Sequence, residues 1–120
     1  MLRYALRRSG GDTVLRDLLA QDALVYAGYS AGPCVLSPSL RGLEAVDDAD
    51  AVMRIYRADP VWEGPAVRDK ALVPHYRSPG HPETKALGLV ADKYRAEGVP
   101  HLTLQDGQAL LIGGANAAIV

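Results

Sequence analysis

The sequence predicts a single α/β domain with a mostly parallel sheet between helices, and three observations support this fold class. Hydrophobic residues make up 48% of the 120 residues, enough for one core and too many for a disordered chain. Twelve glycines and eight prolines indicate many short turns rather than a helical bundle. Short apolar runs alternate with segments of helical periodicity, which is typical of helices packed on a sheet.

Three segments have the pattern of helices. Leu2 to Arg8 is the first, and Ser9-Gly10-Gly11 ends it. Asp12 is expected to cap the second helix, whose apolar residues repeat at helical spacing. Pro82 to Ala96 is the third, because proline favours a helix start and Gly98 follows its end. The apolar faces of the second and third helices comprise Val14, Leu15, Leu18 and Leu19, and Leu87, Val90, Ala91 and Tyr94, respectively.

Three short apolar runs are predicted to be strands. They are residues 23–28, 71–74 and 101–104, and the second of them ends at His75. The pair Asp106-Gly107 is a two-residue turn signal, so residues 101–104 and 109–112 are expected to form a hairpin. Proline and glycine punctuate the long segment from residue 38 to residue 70, and one short strand is expected within it, at residues 52–56.

The pentapeptide Gly28-Tyr29-Ser30-Ala31-Gly32 follows the first predicted strand. Gly-x-Ser-x-Gly between a strand and a helix is the pattern of a nucleophile elbow, in which a serine projects from a sharp turn between small neighbours. The N–H groups at the start of the following helix favour an oxyanion. The same pattern also fits an ordinary glycine-rich turn with an exposed serine. Ser30 is therefore a candidate nucleophile.

A serine nucleophile needs a base, and the chain has three histidines. His75 is preferred because it follows a predicted strand, and a strand end holds a side chain more rigidly than a loop does. His81 lies in a loop rich in proline and glycine, and His101 is expected to be structural. Asp106, on the turn after the third predicted strand, is the candidate carboxylate that orients the base. It also fits a plain turn residue, since Asp-Gly is a favoured turn pair.

Charge and cysteine content argue against several classes of function. The net charge is -1 and no block of Lys and Arg is present, so neither nucleic acid nor a membrane is an expected partner. The single cysteine, Cys34, allows no internal disulfide and fits a cytoplasmic location. Arginines interrupt the apolar residues at the N-terminus, which argues against a signal peptide, and no apolar run reaches the roughly 20 residues that span a bilayer. No metal site is expected, and the acidic residues 47–50 are interpreted as a solvated loop.

Three motifs in this order resemble the peptidase E (aspartyl dipeptidase) family of the class I glutamine-amidotransferase-like superfamily. They are residues 26–32 with the elbow, residues 73–76 with an apolar-Pro-His-aromatic pattern, and residues 104–107 with an acid-Gly turn. Residues 2–10 also resemble the helix that follows the family's Gly-Gly-Asn-Thr loop. The order serine, histidine, acid differs from the serine, acid, histidine order of α/β-hydrolases, which favours peptidase E.

The resemblance implies a three-layer sandwich and a serine peptidase. It implies Ser30 as nucleophile, His75 as general acid/base and Asp106 as the residue that orients the imidazole. The backbone N–H of Ala31 would be one oxyanion donor. The expected substrates are short peptides with an N-terminal aspartate, and no metal or organic cofactor is implied. Two alternatives remain: a catalytically impaired module that binds a partner or ligand, and a different hydrolase such as a cyanophycinase-like enzyme or an esterase.

The chain is shorter at its N-terminus than members of that family. Residues 1–120 are therefore expected to form one domain that corresponds to the C-terminal portion of the family fold, without its first strands and without the loop that supplies the other oxyanion N–H. Because missing strands would expose apolar faces and a sheet edge, a homodimer is expected. Substrate-binding residues are not identified, although Arg41, Arg54 and Arg77 are candidates for pairing with a substrate carboxylate.

Overall fold

The computed structural model describes residues 1–114 and 116–120. The helices are α1 (Leu2–Ser9), α2 (Gly11–Ala20), α3 (Ala31–Cys34), α4 (Ala51–Tyr56) and α5 (Thr84–Ala96), with a 3-10 turn at Leu43–Ala45. The strands are β1 (Ala71–Val73), β2 (His101–Thr103), β3 (Leu110–Gly113) and β4 (Asn116–Ile119). Within the described residues, none of the helices is long and apolar enough to cross a membrane.

The central feature is the parallel pair β1–β2, in which Val73 faces Thr103. Helix α5 covers one face of this pair, and α3 lies against β1. Ala71 and Val73 form a buried core with the apolar face of α5, and Val73 is completely inaccessible to solvent. The α5 residues in this core are Leu87, Val90, Ala91 and Tyr94, the four predicted to form its apolar face. The predicted α/β class, with helices layered on a parallel sheet, is confirmed.

Helices α1 and α2 pack together and are joined at Gly10, whose φ of 74° suits glycine. A buried ion pair between Arg3 and Asp12 links them, and Arg7 Nε lies 3.3 Å from the same carboxylate. Burial alone would raise the pKa of Asp12, but the Arg3 hydrogen bond and charge together hold it below its ordinary value. The pair therefore stabilises the fold above about pH 4, and this stabilisation is lost as the pH falls through the lowered pKa.

The prediction for the start of α2 was wrong in detail. Asp12 is not the residue that caps the helix, because Gly10 occupies that position and Asp12 lies within the first turn. Its side chain faces α1 because the buried Arg3 needs a counter-charge. Val14 is 58% exposed, so it does not belong to the buried face on which it was predicted to lie.

The predicted strand at residues 23–28 does not form, although its side chains alternate as in a strand. Leu24 and Tyr26 are half-buried, whereas Val25 is 94% exposed. Between residues 24 and 28 no backbone group takes part in a hydrogen bond with the described residues. An apolar run becomes a strand only when a neighbouring strand offers its backbone, and the described residues place none beside it.

Three further predictions need correction. Residues 52–56 belong to helix α4 rather than to a strand. Residues 109–112 do not form a hairpin with 101–104, because β2 pairs with β1 and β3 pairs with β4 in a separate antiparallel hairpin. Helix α5 begins at Thr84, two residues after Pro82. The preceding residues form turns, in which the His81 N–H donates to the Ser78 carbonyl and the Thr84 N–H donates to the His81 carbonyl.

The Arg3–Asp12 pair gives a test of this part of the fold. We expect Asp12→Asn to lower the free energy of unfolding by about 3–5 kcal/mol, because it leaves a buried guanidinium without its counter-charge. Asp17→Asn is the matched control on the same helix, since the Arg16–Asp17 pair is half-exposed, and it should cost less than about 1 kcal/mol. Urea unfolding followed by circular dichroism measures both. Equal effects of the two substitutions on the free energy of unfolding would contradict the burial of the Arg3–Asp12 pair.

Candidate active site

Ser30 lies at a sharp turn directly before α3. Its φ of 53° and ψ of -118° are strained for a residue with a side chain. Space beside the turn is tight at Gly28, where an added Cβ would lie 3.1 Å from the Tyr26 ring and 3.3 Å from Pro33. The Tyr26 hydroxyl donates a 2.8 Å hydrogen bond to the Gly32 carbonyl and so closes the turn. The backbone N–H of Ala31 makes no hydrogen bond with the described residues.

The Cys34 sulfur joins this turn to the sheet. Cys34 Sγ lies 3.2 Å from the Ser30 carbonyl oxygen and 3.6 Å from that of Leu72 in β1. Burial raises the pKa of the Cys34 thiol to about 12, so the group is a neutral donor at physiological pH. The Ser30 turn therefore sits close to the strand that leads to His75.

His75 and Asp106 follow β1 and β2 and meet at the end of the parallel pair. His75 Nδ1 lies 2.6 Å from Asp106 Oδ1. The hydrogen bond from His75 holds the pKa of Asp106 below its ordinary value, so the carboxylate is ionised and can only accept. His75 Nδ1 must then carry the proton, which leaves Nε2 as the basic nitrogen. Nε2 is buried and has no hydrogen-bond partner within the described residues.

The loop between β1 and α5 is tied to both members of this pair. The Thr84 hydroxyl donates to the His75 carbonyl and accepts from the Ser78 N–H, each at 2.8 Å. The buried Ser78 hydroxyl accepts a 2.8 Å hydrogen bond from the Asp106 N–H. These bonds hold the backbone of His75, which has a φ of 53°, and the backbone of Asp106. His81, in the same loop, stacks on His75 with ring centroids 3.7 Å apart and planes 4° apart.

A cavity of about 240 Å³ adjoins the Ser30 turn, and neither His75 nor Asp106 lines it. Ser30, Ala31 and Pro74, the residue before His75, line it. Arg3 also lines it, and its Nε and Nη1 atoms are buried with no hydrogen-bond partner within the described residues. Carboxylates at the wall come from Glu44, Asp47, Asp48 and Glu83, and the remaining lining is largely apolar.

The structure brings two of the three predicted site residues into contact, and the third lies on a turn that Cys34 links to β1. His75 and Asp106 are hydrogen-bonded, whereas no hydrogen bond joins Ser30 to His75 Nε2. His101 bonds to the Val99 carbonyl at 2.8 Å and packs against Tyr94, as expected for a structural histidine.

The arginines considered for substrate binding are engaged elsewhere. Arg54 pairs with Asp48 at 2.6 Å, Arg41 lies over the Trp62 ring, and Arg77 lies over the Tyr76 ring. None of these arginines is among the described residues that line the cavity beside Ser30.

Sequence reasoning missed Arg3 at the site, and it weighed His81 as a base without predicting its contact with His75. Arg3 was considered only as a charge that interrupts an N-terminal apolar run, and nothing in the sequence shows that it is buried. For His81 a signal existed, because Ser78 and Thr84 flank a Pro-Gly-His-Pro loop and short hydroxyl side chains commonly bond to the backbone of turns.

The family model for peptidase family S51 matches residues 1–120, the entire chain. The chain belongs to peptidase family S51. This assignment makes it a peptidase-family protein and agrees with the resemblance inferred from the three motifs. No curated protein matches the chain.

A solved structure with a similar fold comes from Listeria monocytogenes EGD-e and is provisionally assigned as a peptidase E protein. It matches with a TM-score of 0.76 at 19% sequence identity, over 96% of this chain and 51% of that chain. The S51 chain described here therefore spans about half the length of that structure. At this identity the match supports the fold and not a particular substrate.

The buried Cys34 thiol provides a test of the packing under the Ser30 turn. We expect the native protein to resist alkylation by iodoacetamide at pH 8, because the thiolate is the reactive form and its fraction is negligible when the pKa is about 12. In urea the single cysteine should react completely. Mass spectrometry of both samples measures the result. Rapid alkylation of the native protein would contradict the burial of this side chain.

Proposed function

We propose that this S51 protein is a serine peptidase in which Ser30 is the nucleophile, His75 the general acid/base and Asp106 the residue that orients the imidazole. The observation that carries the proposal is the His75–Asp106 hydrogen bond at 2.6 Å, which leaves a basic Nε2 without a partner. The strained backbone at Ser30 supports it, because such strain concentrates at functional sites. The family assignment supports a peptidase in general.

In the proposed mechanism His75 Nε2 takes the proton of the Ser30 hydroxyl as Oγ attacks the scissile carbonyl carbon. The carbonyl electron pair moves to oxygen, and the Ala31 N–H is available to donate to that oxyanion. When the C–N bond breaks, the His75 imidazolium gives its proton to the leaving amine. Water, deprotonated by His75, then attacks the acyl-Ser30 ester. The bond between the acyl carbon and Ser30 Oγ breaks, the His75 imidazolium returns the proton to Oγ, and the acid is released.

The mechanism requires Ser30 Oγ and His75 Nε2 to approach each other when substrate binds. Catalytic hydrogen bonds are often long in proteins without substrate and shorten in the complex. The Cys34 contacts to Ser30 and Leu72 support a short approach, because they keep the turn beside the strand that carries His75. The absence of a Ser30–His75 hydrogen bond is the observation that favours the second candidate function, a module that binds a ligand without cleaving it.

We further propose that the substrate is a short peptide with an N-terminal aspartate. Arg3 lines the cavity, and the single charge of Asp12 is shared between Arg3 and Arg7, so Asp12 does not neutralise both guanidinium groups. The unpartnered Nε and Nη1 atoms of Arg3 are donors suited to the aspartate side chain. Glu83 also lines the cavity, and a carboxylate there would suit the free amino group of the same residue.

Hydrolysis of Asp-p-nitroanilide and labelling by a fluorophosphonate probe test the enzyme proposal. We expect Ser30→Ala to abolish both signals, because it removes the nucleophile. His75→Ala and Asp106→Asn should lower kcat/KM by about 10²–10⁴-fold, the usual contribution of a general base. His101→Phe is the matched control and should leave both rates unchanged. If the wild type turns over Asp-p-nitroanilide no faster than Ser30→Ala does, the enzyme proposal is overturned and the binding module is favoured. If the wild type prefers Ala-p-nitroanilide, the proposed aspartate specificity is overturned.

We also propose that the protein is a homodimer through the unpaired segment before Ser30. Val25 and Tyr29 are 94% and 85% exposed, and the backbone between them makes no hydrogen bond with the described residues, so it can pair with a strand of a second copy. Analytical ultracentrifugation should show a dimer for the wild type and a shift to monomer for Val25→Asp. The control Lys93→Asp, on the exposed side of α5, should remain dimeric. A wild-type monomer would contradict the proposal.

A further inference from the structure

The His75–His81 stack lies outside the proposed triad, although it is the closest contact between two aromatic rings that the structure shows within the described residues. The ring centroids are 3.7 Å apart and the planes differ by 4°. His75 is thus held in two ways: Asp106 fixes one nitrogen in the ring plane, and His81 covers one face of the ring. An in-plane hydrogen bond alone leaves the ring free to rotate about that bond, whereas a stacked ring removes this freedom.

A hydrogen bond to the backbone orients the His81 ring. The Glu83 backbone N–H, which can only donate, points at His81 Nδ1 at 3.2 Å. This bond restrains the rotation of the ring, whose plane lies 4° from that of His75.

Hydrogen bonds within the loop between β1 and α5 hold His81 in position. The His81 N–H donates to the Ser78 carbonyl at 3.2 Å, and Ser78 is itself bonded to Thr84 and to the Asp106 N–H. Ser78 is 1% exposed, so the loop is anchored inside the protein. The same anchor therefore fixes the carboxylate partner of His75 and the ring that covers it.

We propose that His81 is a positioning residue whose stacked ring holds the His75 imidazole in the plane in which it bonds to Asp106. This inference rests on the proposed function of His75 as the general base. His81 acts through His75, because it covers one face of that ring.

Two substitutions separate the ring from the hydrogen bond of His81. His81→Phe keeps a flat neutral ring and loses the acceptor for the Glu83 N–H. His81→Gln keeps an acceptor and loses the ring. If stacking positions His75, the His81→Phe variant should react with the fluorophosphonate probe at close to the wild-type rate. The His81→Gln variant should react about 10- to 100-fold more slowly, as expected for a displaced catalytic group. If His81 only ties the loop together, the order is reversed.

A second readout does not depend on cleavage. The Nδ1–H proton of His75, in its 2.6 Å hydrogen bond, should give a downfield proton resonance in wild type and in His81→Phe. It should broaden or disappear in His81→Gln, in which the ring is free to move and exchange with water. His101→Phe is the control for loss of a histidine, and Asp106→Asn assigns the resonance. Thermal melts of each variant establish that it is folded.

The outcomes separate this inference from the function on which it rests. No labelling of the wild type would overturn the proposed function, and the resonance would then decide the positioning of His75 by itself. A resonance that survives in His81→Gln, or labelling that is faster in His81→Gln than in His81→Phe, would overturn the role of the stacked ring.

Discussion

The candidate site depends on the parallel pairing of β1 with β2. The pairing continues past both strands, since the Leu104 N–H donates to the Val73 carbonyl at 3.0 Å and the Tyr76 N–H donates to the Leu104 carbonyl at 2.9 Å. This register sets His75 opposite the turn that carries Asp106. A shift of one residue would turn the side chains of one strand to the other face of the sheet and separate the two groups. The core that α5 forms with Ala71 and Val73 holds the register in place.

The sequence predicted the elements whose stability comes from local patterns and from one buried face. Helix α5 is the clearest case, because its four apolar residues recur at helical spacing and all of them are buried. The segment at residues 23–28 could not be judged in this way, because a strand depends on a neighbouring strand that local sequence does not specify. The same reason explains the wrong hairpin: Asp106-Gly107 is a turn, but turn residues do not determine which strands pair across it.

The sequence predicted which residues form the candidate site, but it did not predict the contacts among them. Glycine spacing around Ser30 and the position of His75 after a strand named the candidate residues, since both follow from local steric and topological rules. The stacked His81, the bridging thiol of Cys34 and the burial of Arg3 depend on contacts between distant segments. Periodicity carries no information about such contacts. The chain belongs to peptidase family S51. Arg3 and Cys34, which these distant contacts bury, both line the cavity beside Ser30.

The left-handed backbone at Ser30 and His75 has a consequence for how this protein can change. Each position has a conformation that glycine adopts without strain, with φ values of 53°. Substitution by glycine would relieve that strain and delete a side chain of the proposed triad at the same time. Backbone strain and the proposed chemistry thus oppose each other at these two positions. Variants selected only for thermal resistance would be expected to lose these side chains and keep the fold.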